Sequence, residues 1–233
     1  MNLTNLRLLA RAYVPGAKVA VVKNTTLDLI LNQAVVDIAS HTACLKTNKK
    51  FDVEADENEY SLSTELGDYL TMDKPGLWWN AGTGAAPNWL QLDPRTLKYF
   101  NENTPTWRDD DADDPLAYSI DGDILTIRPE PDTDLTDGFH IYYGKMPSSM
   151  TSGSHFPFTG SSIEYDHMTI FDDAILAFWE WKAQKIVNKG QDPYKATEKA
   201  YKEIREEKSL LFNRRLDIGA DRQARFRGRR VGQ

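Results

Sequence analysis

The stretch LAYSIDGDILTI, residues 116–127, decides the fold class of this chain. Two short runs rich in aliphatic and β-branched residues flank the dipeptide Asp121-Gly122, which is typical of a two-residue hairpin turn. Such a turn joins antiparallel strands, whereas parallel strands need a crossover of about a dozen residues. The stretch therefore predicts a β-hairpin within an antiparallel sheet.

The region around this hairpin, residues 45–143, contains further short β-like runs separated by turn residues. Phe139, Ile141 and Tyr143 alternate with more polar neighbours, as in a half-buried strand. Because no long helix separates the runs, a parallel βαβ sheet is excluded and an α+β fold is favoured.

Two prolines in this region predict local structure. In Asp73-Lys-Pro-Gly76 the Pro and Gly occupy the positions that a type II turn favours. Pro94 is placed to begin one or two helical turns within residues 93–100.

Helices are predicted at the N-terminal end of the chain. Residues 3–10 place Leu and Ala at helical spacing, and Pro15-Gly16 stops that segment. Thr25 and Asp28 indicate a capped start for a second helix. Its apolar stripe is formed by Leu27, Ile30, Leu31, Ala34, Val35 and Ile38.

Helices are also predicted after a Ser/Gly/Pro-rich connection at residues 147–162. Asp166 is expected to cap a helix that ends at Gly190, and Asp192-Pro193 restarts another. The tail that follows has no periodicity of its own.

These elements predict an α+β fold: a helical bundle from both chain ends, an inserted antiparallel β-domain and an extended C-terminal arm. The predicted boundaries are 1–44 for the N-terminal helices, 45–147 for the β-rich domain, 148–212 for the linker and C-terminal helices, and 213–233 for the basic arm.

The net charge of −7 is unevenly distributed. Seven Arg and two Asp after residue 212 give the arm a charge of +5, which leaves −12 for the rest of the chain. A basic arm on an acidic body favours an acidic partner, either nucleic acid or another protein. The candidate partner-binding residues are Arg214, Arg215, Arg222, Arg225, Phe226, Arg227, Arg229 and Arg230.

Patterns typical of catalysis are weak, so no enzyme, cofactor or metal is predicted. Residues 82–86 lack the Lys-Ser/Thr end of a phosphate loop. The acidic run 109–114 departs from a calcium loop and is interpreted as a solvated loop, with weak cation binding left open. The single Cys44 excludes a disulfide framework, and the four His have no metal-ligand spacing.

Trp78 and Trp79 are candidate interface aromatics. Neighbouring Trp residues can also stack on sugars, although in β-rich segments they more often belong to a core or a subunit interface. No signal peptide or membrane-spanning stretch is evident, so a cytosolic site of synthesis is expected.

A further pattern resembles the adaptor, or head-to-tail connector, proteins of tailed bacteriophages. The resemblance rests on Pro115-x-x-Tyr118-x-Ile120-x-Gly122, Leu125-x-Ile127-x-Pro129-x-Pro131, Ile141-Tyr142-Tyr143 and Pro147. The helix at 166–190, the segment 92–97 and the stripe at 27–38 are compatible with it.

The resemblance implies a structural virion protein at the head–tail junction, assembled in the host cytoplasm. Its partners would be the portal protein, the next connector or tail protein, and copies of itself in a ring that is usually twelvefold. DNA would pass through the channel without specific binding, and the arm at 213–233 would dock on the portal. No membrane is involved.

The charge pattern agrees with this interpretation, because an acidic channel wall repels phosphate. Two alternatives remain. The arm could bind nucleic acid, or the Trp pair could belong to a carbohydrate-binding tail module.

Overall fold

The structure of the protein is a computed structural model that describes residues 1–14, 16–17, 21–82, 86–103, 112–187 and 194–228, of which 74–75 and 214–228 are described by their backbone alone. The helices in these ranges are α1 (Leu3–Tyr13), α2 (Asn24–Thr42), α3 (Leu62–Leu66), α4 (Leu97–Asn103), α5 (Asp172–Val187) and α6 (Tyr194–Gly228), with a 3-10 helix at Asp166–Phe171. The strands are β1 (Lys46–Val53), β2 (Glu59–Ser61), β3 (Tyr69–Asn80), β4 (Trp89–Gln91), β5 (Asp93–Pro94), β6 (Ala117–Asp121), β7 (Ile124–Arg128) and β8 (Leu135–Lys145). The chain divides into a helical unit, Met1–Cys44 with Pro147–Gln233, and a β unit, Leu45–Met146.

The β unit contains two four-stranded sheets, with strand orders β1-β8-β3-β4 and β2-β7-β6-β5. The predicted hairpin is confirmed as β6 and β7, which pair from Asp121 opposite Ile124 around a turn with Gly122 at φ 61°. The prediction of an α+β fold with antiparallel sheets is therefore confirmed.

The core of the β unit is centred on Phe139 in β8, which is fully buried. Its ring lies between those of Phe51, Tyr60 and Trp79, at centroid distances of 5.4, 5.5 and 5.4 Å. The predicted alternation in β8 is confirmed, since Ile141 is buried on the same face of the strand.

Two local predictions in the β unit are corrected. Gly76 has the positive φ, 89°, that the predicted turn requires, but residues 73–76 lie inside β3, where the pairing register shifts. The helical turns predicted within residues 93–100 begin at Leu97, as α4, and not at Pro94; Pro94 forms β5, which pairs in parallel with β6. Proline donates no hydrogen bond, and β5 is an edge strand where that loss is tolerated.

In the helical unit, α1 ends at Tyr13, as Pro15-Gly16 predicts. The predicted cap of α2 is wrong. The helix begins at Asn24 without a side-chain cap, and the Asp28 carboxylate instead accepts from the Arg7 guanidinium of α1 at 2.6 and 2.7 Å. This ion pair joins the first two helices.

The connection at 147–162 packs against the first two helices and is part of the helical unit. The Leu3 and Thr4 amides of α1 donate to carbonyls of this loop. The Asn32 side chain exchanges hydrogen bonds with the Met150 backbone at 2.8 and 3.2 Å. Composition alone predicts a linker here because it does not show these partners.

The helix predicted at 166–190 is divided. A 3-10 helix, Asp166–Phe171, precedes α5, and residue 165 rather than Asp166 occupies the N-cap position. In α5, Trp179 is fully buried and its Nε1–H donates to the Ala10 carbonyl at 2.6 Å. Residues 188–193, with the predicted Gly190 stop and Asp192-Pro193 restart, lie outside the described residues.

We expect Phe139→Ala to destabilise the β unit by about 3–5 kcal/mol, because it leaves a cavity among three aromatic rings. Urea unfolding followed by tryptophan fluorescence would measure this effect. Leu116→Ala, at a side chain that is 68% exposed, is the control and should change stability by less than about 0.5 kcal/mol. Equal effects of the two substitutions would contradict the central place of Phe139.

Candidate partner-docking surfaces

The first half of α6 is fixed to the helical unit by Tyr201, which is 1% exposed. Its ring stacks on Trp181 at 5.9 Å and meets Phe178 edge-on at 5.1 Å, both on α5. Its hydroxyl donates to the Asp37 carboxylate of α2. One tyrosine thus joins three helices.

Arg205, one turn further along α6, donates from a guanidinium nitrogen to the same Asp37 oxygen at 2.9 Å. Its side chain is only 11% exposed and that of Asp37 is 32% exposed, so the pair is partly buried. Burial and the hydrogen bond to Asp37 raise the pKa of Tyr201, which keeps the phenol neutral beside the carboxylate. The three groups form one charge-assisted network.

The next anchor is Phe212, which is 3% exposed and packs on Phe171 at 5.5 Å. Lys208 pairs with Asp173 at 3.4 Å between these two anchored turns. Phe212 is thus the last buried residue of α6 whose side chain the structure describes, and it immediately precedes the predicted arm at residue 213.

The expectation of an extended arm is corrected, because α6 continues to Gly228. Arg, Ala and Leu favour helix, and no Pro occurs between Tyr194 and Gly228. The packed turns also supply the nucleus on which a helix can grow. The helix carries the backbone of Arg214, Arg215, Arg222, Arg225, Phe226 and Arg227. Arg229 and Arg230 lie outside the described residues.

The two candidate interface tryptophans are on opposite faces of β3. Trp79 is 2% exposed in the core, and its Nε1–H donates to Asp114 at 3.2 Å. Its assignment to an interface is therefore corrected. Trp78 is half-buried on the other face, and its Nε1 has no hydrogen-bond partner among the residues that the structure describes.

Trp78 belongs to an aromatic face of the β1-β8-β3-β4 sheet. It is paired in register with His140, whose ring lies 5.4 Å from Trp89 and 4.6 Å from Tyr142. Burial, and then the charge of Lys50, lower the pKa of His140. The sequence indicated the period of β8 but not that these rings would meet across strands.

An acidic groove of about 640 Å³ lies along β1, β2 and α3. Its charged lining consists of Lys49, Lys50, Asp52, Glu54, Glu57, Glu59 and Glu65. Part of the acidic body is thus concentrated on one surface of the β unit.

The remaining sequence candidates give little chemistry. Within the described ranges, no three His, Cys, Asp or Glu side chains are placed to hold a metal ion together. Residues 109–111 and 83–85 lie outside those ranges, while Asp114 accepts from Trp79.

Burial raises the pKa of Cys44 to about 11, so its thiol is a poor nucleophile at neutral pH. None of the described helices has both the length and the apolar character needed to cross a membrane.

A family model described as SU10 adaptor protein matches residues 1–231. The chain belongs to this family. It is a bacteriophage adaptor protein, and the resemblance stated from its sequence is confirmed. Family membership supports a structural role in the virion. No curated protein matches this adaptor.

We expect Tyr201→Phe to destabilise the helical unit of the adaptor by about 1–1.5 kcal/mol, because Asp37 loses a buried hydrogen-bond donor. The measurement is urea unfolding at pH 7 followed by circular dichroism. Tyr13→Phe, at an exposed tyrosine of α1, is the matched control and should have no effect.

The same variant gives a pH prediction. Because the pKa of Tyr201 is raised in the folded state, its contribution is complete below the unfolded pKa of about 10 and is lost as the pH rises above it. Tyr201→Phe should therefore lose less stability than the wild type above pH 10. An identical alkaline decline in both proteins would argue against the network.

Proposed function

We propose that this adaptor forms a homo-oligomeric ring between the portal and the next connector or tail protein, and that the ring extends the DNA channel. Membership of the adaptor family is the observation that carries this proposal. A twelvefold ring at the head–tail junction, assembled in the host cytoplasm, is the arrangement we propose. The role is structural rather than enzymatic.

The portal-docking element in this proposal is the Arg-rich part of α6 and the residues after it. The network of Asp37, Tyr201 and Arg205 holds the base of this helix. A helix that is already formed loses less conformational entropy on docking than an extended arm would. Its arginines can form bidentate hydrogen bonds with carboxylates of a portal cleft, and Phe226 can fill an apolar pocket.

The acidic remainder of the chain suits a channel that DNA crosses without being held. Residues 1–212 carry a charge of −12, and like charges repel phosphate. The excess of positive over negative charge is confined to residues 213–233, which would contact protein.

Electron microscopy of the adaptor mixed with its cognate portal tests the proposal. We expect a ring of adaptor subunits on the portal. A portal that stays bare at saturating adaptor concentration would refute it.

Truncation after Asn213 should abolish portal binding and change the melting temperature little. It removes the arginines but retains Phe212, the last buried anchor that the structure describes. Portal pull-down at physiological salt and thermal melting are the two measurements.

Two further variants control this experiment. Truncation after Leu211 also removes Phe212 and should lower the melting temperature. Phe226→Ala should weaken docking if its ring fills a pocket. Full portal binding by the protein truncated after Asn213 would exclude the arm as the docking element.

Nucleic-acid binding by the same arginines is distinguished by salt and partner. A phosphate-binding arm would bind DNA with little sequence preference and lose affinity steeply as salt increases. A portal-docking arm would instead bind the portal selectively at the same salt concentrations.

The aromatic face supports carbohydrate binding as a second candidate function. Trp78, Trp89 and Tyr142 place flat rings on one side of a sheet, the kind of surface on which sugars stack. Glycan screening tests this candidate, and binding that is lost in Trp89→Ala would favour it over the portal-docking role.

A further inference from the structure

A groove lies between α2 and α5 in the helical unit. It has a volume of about 600 Å³ and is lined on one side by α2 residues spaced three and four apart, and on the other by Phe178, Trp181 and Lys182. Its α2 wall includes Leu29, which is 59% exposed. The spacing makes this wall a continuous helix face.

Two polar groups in this groove retain capacity for a ligand. The Lys182 ammonium lies 3.7 Å from the centre of the Trp181 ring and near the carboxylates of Asp37, which also lines the groove, and Glu198, but it forms no ion pair within 4 Å among the described residues. The Trp181 Nε1 is buried without an acceptor. A cation and a donor beside apolar side chains select a ligand that carries carboxylates next to an apolar residue.

The outward face of α6 offers that combination. Glu203, Glu207 and Leu210 follow one another at helical spacing and are all exposed. Leu210 is 59% exposed, and Glu207 has no ion-pair partner among the described residues. We call these three residues the α6 stripe.

We propose that the groove of one subunit binds the α6 stripe of a second copy, with the carboxylate of Glu207 beside Lys182 and the side chain of Leu210 beside Leu29. The exposed Glu207 carboxylate can accept from both the Lys182 ammonium and the unsatisfied Trp181 Nε1–H, and this match favours a second copy as the occupant. The contact joins two different surfaces, so it is head-to-tail and can close into a ring. The contact between two copies is independent of the proposed function. Only the closure of such contacts into a ring on a portal rests on that function.

Cysteine cross-linking tests this contact directly. Tagged Leu29→Cys protein is mixed with untagged Leu210→Cys protein, so that a link between the two variants must be intermolecular. Oxidation is followed on a non-reducing gel, with the full-length adaptor alone at high concentration and again on the portal. Buried Cys44 is the only native cysteine and contributes little background.

We expect the mixed dimer to form on the order of tenfold faster than with the control pair Leu8→Cys and Leu210→Cys, because docking raises the effective concentration of the thiols. Leu8 is 67% exposed on α1 and is therefore a matched apolar control. Equal rates for the two pairs under both conditions would refute the contact.

Charge exchange gives an independent test. Lys182→Glu and Glu207→Lys should each weaken self-association, and the double variant should restore it. Lys98→Glu, at a 79% exposed lysine of α4, is the control and should have no effect.

The outcomes separate this contact from the proposed function. A ring on the portal without the mixed cross-link refutes the groove and retains the function. The cross-link without any portal binding supports the groove and refutes the portal role. If Lys182→Glu abolishes portal binding but leaves self-association intact, the occupant is the portal and our assignment of a second copy is wrong.

Discussion

The carboxylate of Asp37 on α2 is the constraint on which the candidate docking helix depends. It accepts from both Tyr201 and Arg205, and these residues hold the first turns of α6 against the two helices beneath. A partly buried carboxylate is costly without donors, and two partly buried donors are costly without an acceptor. Each member of the network therefore requires the other two as hydrogen-bond partners. The network thus fixes one position of α6 on the helices beneath, which apolar contacts alone would not do.

The β unit depends on a different principle, the alternation of side chains along a strand. Trp78 and Trp79 are neighbours in sequence, yet one belongs to the surface and the other to the core. The same alternation in β8 places Phe139 among the core rings and His140 among the surface rings. The two-residue alternation of side chains in β3 and β8 thus accounts for both the buried core and the half-exposed aromatic face.

Local signals predicted much of the fold: the hairpin turn at Gly122, the end of α1 and the strand containing Phe139 all follow from short-range chemistry. Long-range partners account for the failures. Asp28 looked like a cap but pairs with Arg7, and the Ser/Gly/Pro-rich connection packs because α1 supplies its hydrogen bonds. Of the candidate site, the charge of the arm was evident from composition, whereas its helical form depends on anchors that precede it.

The helical unit is assembled from the two ends of the chain, and this has a consequence for synthesis on the ribosome. Trp179 donates to a carbonyl that lies 169 positions earlier, so α1 and α2 emerge long before the residues that cover their apolar faces. The β unit is continuous and can fold while the rest is still being translated. The first two helices must wait, with their buried leucines exposed, until α5 leaves the exit tunnel. Until then, these leucines form an exposed apolar surface of the kind that chaperones bind.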